Sequence, residues 1–133
     1  MIARAGSSFL AALVLASCAA AQPASPASER RIEVRAPIVR VAVRVAESYP
    51  PQYFADVTSA LPDGCTRFAR FTVRRTGDVI LVEVFNTVPA DRGAMCTMIY
   101  GEHESAVPLG SDFRPGTTVT LDVNGTRQPF VAQ

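Results

Sequence analysis

The chain has 133 residues, with 13 basic groups against 12 carboxylates and a single histidine, for a formal net charge of +1. Every basic residue is arginine, and lysine is absent. So even a balance lacks the concentrated positive field that phosphate backbones require, which argues against a nucleic-acid partner.

The first element in chain order is an export signal. Arg4 precedes an apolar run from Phe9 to Ala16 and then small residues, the layout of basic segment, apolar core and cleavage site. At ~1.5 Å per residue the run reaches no more than about half of a bilayer's hydrocarbon thickness, too short to span it. Leu15-Ala16-Ser17-Cys18 resembles the lipobox of bacterial lipoproteins: a branched residue, two small residues, then cysteine. The resemblance implies that the Cys18 thiol receives lipid, that residues 1–17 are removed, and that the new amine is acylated. Several acyl chains at ~0.8 kcal/mol per buried CH₂ make such an anchor durable. Ala19 stands where an aspartate would favour inner-membrane retention, which fits an outer-membrane destination in an organism that has one. The alternative is ordinary secretion. Ala19-Ala20-Ala21 offers an A-x-A site, and cleavage there would release a soluble secreted or periplasmic protein without Cys18. Residues 18–31, rich in Ala, Pro and Ser, read as a disordered tether with a reach of up to ~40 Å at ~3.1 Å per residue.

Residues 32–133 make one domain of ordinary size, and its dominant period is two. Ile32 and Val34 alternate with Arg31, Glu33 and Arg35 up to Pro37. Val39, Val41, Val43 and Val45 share one face, and Arg40, Ala42, Arg44 and Ala46 the other, the pattern of a half-buried strand. Tyr53, Ala55 and Val57 continue it after the Pro50-Pro51 break. Thr66 to Arg75 directs Phe71 and Val73 to a core and Arg70 and Arg74 outward. Gly77-Asp78 makes a turn, and the apolar run from Val79 to Phe85 predicts a central strand covered on both sides. Met95 to Tyr100 predicts a further, less regular strand. Near the end, Val119, Leu121 and Val123 alternate with polar residues up to Asn124-Gly125, a two-residue hairpin signal. That turn sets Val123 opposite Thr126, Leu121 opposite Gln128 and Val119 opposite Phe130, with Phe130 on the core face. Asn124-Gly125-Thr126 also matches a glycosylation sequon, which the turn explains.

Seven or eight short strands without helical periodicity predict an all-β fold, a small antiparallel β-sandwich. With no tryptophan, it is immunoglobulin-like only by loose analogy. Of the three cysteines, assigning Cys18 to lipid leaves Cys65 and Cys96. In an exported chain such a pair is expected to form a disulfide, with two buried free thiols as the alternative. The bond would restrict the unfolded chain by roughly 3.5–4 kcal/mol. A metal site needs more ligands than these two.

SYPPQYFADVTSALPDGCTRF, FTVRRTGDVILVEV, VPADRGAMCT, EHESAVPLG and TLDVNGTRQPFV resemble a family of small exported bacterial domains. Its members share an LPDGCT turn, a second cysteine some thirty residues on, and a final VNG hairpin. The resemblance spans Ser48 to Val131 and implies a β-sandwich and a Cys65–Cys96 disulfide, with no activity attached.

Candidates for chemistry are few. Gly101-Glu102-His103-Glu104-Ser105 places the one histidine between two carboxylates, donors that suit a metal-dependent enzyme or a hydrolase. In an extended segment, however, Glu102 and Glu104 point to one face and His103 to the other. Asp63 in LPDG fits a turn former. With no nucleophile motif and no C-x-x-C, no catalytic residue, metal ligand or cofactor is assigned. Tyr49, Tyr53 and Phe54 beside the double proline, together with Arg70 and Arg74, form the candidate binding surface for an envelope protein or anionic polymer. The same residues also read as a strand start packed over the core and as a solubilising wet face. The expected function is a lipid-anchored, non-catalytic module of the cell envelope with an interaction or structural role. The alternatives are a secreted protease inhibitor or ligand binder using end loops, and an envelope hydrolase or metal-dependent enzyme.

Overall fold

Strands that are apolar on one face need a second apolar face to cover them, and this chain supplies it by dividing its strands between two sheets. The computed structural model describes residues 29–133. The signal segment, Cys18 and the spacer up to Ser28 lie outside the described residues. Within them are eight strands: β1 Arg31–Arg35, β2 Ile38–Ala46, β3 Gln52–Leu61, β4 Arg67–Thr76, β5 Val79–Pro89, β6 Gly101–Gly110, β7 Thr118–Val123 and β8 Thr126–Val131. The first strand thus begins one residue before the domain boundary expected at residue 32.

β5 organises the five-stranded sheet. β4 runs antiparallel along one of its edges, while the other edge is shared end to end. β7 lies opposite Val79 to Val82 and β1 opposite Phe85 to Pro89, with β8 flanking β7. β2, β3 and β6 form the second sheet, with β3 in the middle. Inward side chains of β5 (Ile80, Val82, Val84) and β7 (Val119, Leu121, Val123) meet Tyr53, Ala55 and Val57 of β3 and Val107 and Leu109 of β6. The fold is the all-β sandwich that the alternation predicts, with one departure: β5 and β7 pair in parallel.

The terminal hairpin has the predicted register, Val119 opposite Phe130, Leu121 opposite Gln128 and Val123 opposite Thr126. Phe130 faces Tyr53 and Phe113, with ring centroids 5.5 and 5.8 Å away. Asn124 has the left-handed φ of 49° that such a turn requires. Its side chain also closes the junction where β7 gives way to β1. Asn124 Oδ1 accepts from the Val84 amide at 3.1 Å, and Nδ2 donates to the carbonyls of Val84 at 2.8 Å and Ala36 at 2.9 Å.

Several details depart from simple alternation. A bulge between Ile38 and Arg40 shifts the register, so Val39 is exposed while Val41 and Val43 pack on the core. A second bulge after Phe68 precedes Arg70. Arg75 pairs with inward-facing Ile80 and lies over the Phe113 ring at 4.3 Å, away from the outward face of Arg70 and Arg74. The outer face of β5 is covered by side chains rather than by a second layer, the Arg70 guanidinium lying 4.4 Å above Phe85. Met95 to Tyr100 is an irregular connection, and the strand is the polar segment after it, β6.

Candidate functional site

Three segments converge at one end of the sandwich: the start of β1, the β3–β4 connection and the β5–β6 connection. The LPDGCT turn shows why each of its residues is there. Asp63 Oδ1 accepts from the Cys65 amide at 3.0 Å and from the amide and hydroxyl of Thr66, both at 2.8 Å. These bonds hold the Asp63 carboxyl below the usual aspartate range, the Thr66 hydroxyl contributing most. Gly64 donates its amide to the Thr97 carbonyl at 2.9 Å, and a Cβ at residue 64 would overlap the Thr97 hydroxyl. Cys65 is bonded to Cys96, with Cα atoms 5.4 Å apart, so the sulfurs form the expected disulfide.

The third segment is tied to the same point. Arg31 Nη2 donates to the carbonyls of Cys65 and Thr87, the latter at 2.9 Å, and the Ala90 amide donates to the Arg30 carbonyl at 2.8 Å. The turn at Asp91 to Ala94 then leads into Met95, Cys96, Thr97, Met98, Ile99 and Tyr100. Around the stapled Cys96, the flanking side chains project outward: Met95 is 99% exposed, Met98 89%, Ile99 70% and Tyr100 56%. Sequence reasoning missed this apolar tip because its composition imitates a strand.

The five residues of the sequence-derived binding surface do not converge. Tyr53 belongs to the core at 1% exposure, where its hydroxyl accepts from the Gln133 amide at 2.7 Å. Period two puts Tyr53 on the face of Ala55 and Val57, so it leaves the binding set. Tyr49 is fully exposed on the β2–β3 connection. Phe54 lies on the outer face of the second sheet beneath the Arg44 guanidinium at 4.9 Å, and Arg44 makes a forked pair with Asp56 at 3.0 and 3.2 Å. Arg70 and Arg74 stand on the outer face of the first sheet. Arg70 binds Glu33 through Nη2 at 2.8 Å and lowers its carboxyl pKa; Arg74 binds Glu83 at 2.9 Å.

The histidine motif separates as an extended segment must. His103 turns inward and stacks on Phe68 with centroids 3.9 Å apart. Glu104 faces outward to Arg40 at 3.4 Å, and Glu102 accepts from the Tyr100 hydroxyl at 3.2 Å. A groove of about 340 Å³ beside Arg40 and Glu104 is also lined by Asp56, Thr58 and Ala106. Asp63, Cys65 and Cys96 lie close together, but their sulfurs are bonded to each other and the carboxylate is occupied by the turn.

Fold and stapled turn together define a disulfide-bonded β-sandwich domain. The chain belongs to the ORF11 beta-sandwich domain family, which matches residues 55–132. It is similar to an uncharacterised 10.2 kDa protein of the HgiCIIM 5′ region in Herpetosiphon aurantiacus, 33% identical over 84 residues, covering 63% of this chain and 87% of the relative. A second 10.2 kDa protein of that organism, from the HgiBIM 5′ region, is 32% identical over 74 residues, covering 56% of this chain and 88% of the relative. No solved structure matches.

Proposed function

We propose that the protein is a lipid-anchored, non-catalytic module of the cell envelope, exported and held at the membrane through Cys18. The observation that carries the export part of this reading is the Cys65–Cys96 disulfide, a bond that persists in oxidising compartments outside the cytosol, while the anchor itself rests on the sequence at Cys18. The lipobox-like Leu15-Ala16-Ser17-Cys18 agrees with it. The charged groups with the most chemical promise are engaged in the fold itself: Asp63 in its turn, Asp56 with Arg44, and Glu33 with Arg70. An interaction or structural role follows, with an envelope protein or polymer as partner. A secreted inhibitor or ligand binder using its end loops has weaker support, since Tyr49 and Tyr100 are the exposed tyrosines among the described residues and stand on separate connections. Labelling cells with radioactive palmitate tests the anchor. Label should appear on the wild-type chain and vanish from Cys18→Ser; label that persists in the variant overturns the assignment.

A further inference from the structure

We infer that Met95, Met98, Ile99 and Tyr100 form a second membrane contact, inserted at the headgroup–acyl boundary of the bilayer that carries the Cys18 anchor. The inference rests on that anchor reading and adds an orientation to it. Four apolar side chains within six consecutive residues project into solvent from a connection whose base is fixed by the disulfide and by the Gly64–Thr97 bond. Their burial in lipid is favourable in proportion to the apolar area they present. Tyrosine, with an apolar ring and a polar tip, suits the interface, and the Tyr100 hydroxyl keeps a polar partner in Glu102.

The position of the tether selects lipid as the occupant. Arg30 and Ala90 are joined backbone to backbone, so the chain reaches the fold beside the connection that bears the tip. Eleven residues lead from Cys18 to Glu29. Fully extended they span at most about 40 Å, which keeps this end within reach of the surface. No acidic residue lies between Arg92 and Gly101, and the carboxylate next to the tip, Glu102, is the one that accepts from the Tyr100 hydroxyl.

The chain has no tryptophan, so Met98→Trp is a unique fluorescent reporter at an exposed position. Tyr49→Trp, also fully exposed, gives a reporter on the distant β2–β3 connection. Each full-length variant, purified from its native envelope, is placed in vesicles of phosphatidylethanolamine and phosphatidylglycerol with brominated acyl chains. The Met98→Trp emission should shift to the blue and be quenched by the bromolipid, while the Tyr49→Trp emission stays aqueous. If mass spectrometry finds acyl groups on Cys18 and the Met98→Trp emission nevertheless stays aqueous, the tip contact is refuted and the anchor stands. If Cys18 is unmodified, the anchor reading fails, and adding vesicles to the soluble chain decides the tip separately: quenching supports it, no change refutes it. A blue shift that bromolipid does not quench indicates that a second copy or another protein covers the tip, and also refutes it.

Discussion

Asn124 sits where β7 ends and β1 begins along the same edge of β5, and its amide fills the gap in the hydrogen-bond ladder. The sequence marks this residue as a hairpin turn; its second role depends on a neighbour 88 positions away, which no local pattern reports. Asn124→Ala forfeits both the left-handed turn conformation and three hydrogen bonds, and should cost about 2–4 kcal/mol in chemical denaturation. Asn124→Gly keeps the turn and should recover about 1 kcal/mol of that loss. Asp63 acts through charge. Its folded-state pKa lies below the unfolded value, so its contribution is present at neutral pH and is lost as pH falls through the lowered value. Asp63→Asn removes that acid-sensitive part. Below about pH 4 the stability of the variant should fall less steeply with pH than that of wild type, measured by thermal melts at each pH; parallel curves would contradict the assignment.

Among the elements, those with strict alternation and an unambiguous turn were legible: β7, β8 and the Tyr53 to Val57 part of β3. The Val39 position was not, because a bulge moves one residue off its face without changing composition. The β5–β6 connection and β6 exchange their apparent characters. Met95 to Tyr100 is apolar but stapled at a tip, whereas the inner face of β6 begins with Gly101, His103 and Ser105 before reaching Val107 and Leu109. The parallel pairing of β5 with β7 was also hidden, since period two assigns faces and not neighbours. The observed alternation of β6 makes a contrast to measure. Val107→Ala should destabilise by about 2–3 kcal/mol through lost burial and a cavity. Glu104→Ala, two strand positions from Ala106 on the outer face and paired with exposed Arg40, should change stability by no more than about 0.5 kcal/mol.

For the whole molecule, the disulfide joins two connections from different sheets at the end where the chain enters the fold. Replacing Cys65 and Cys96 together by alanine should lower unfolding free energy by roughly 3.5–4 kcal/mol, as loop closure in the unfolded chain predicts. A loss well under about 1 kcal/mol would show that the unfolded chain is not restricted in that way. The pairing was legible from the count and spacing of cysteines. The candidate site was not, because Tyr49, Phe54, Arg70 and Arg74 are separated by the sandwich and its arginines are satisfied by neighbouring acids and rings. Cys18, the residue on which the anchor turns, precedes all eight strands. Intact-mass analysis of the protein extracted from its native envelope addresses that residue and the disulfide at once. The expected mass is that of a chain that begins at an acylated Cys18 and carries an oxidised Cys65–Cys96 pair; a lipid-free product beginning at Gln22 would overturn the anchor, and one with both thiols free would overturn the disulfide.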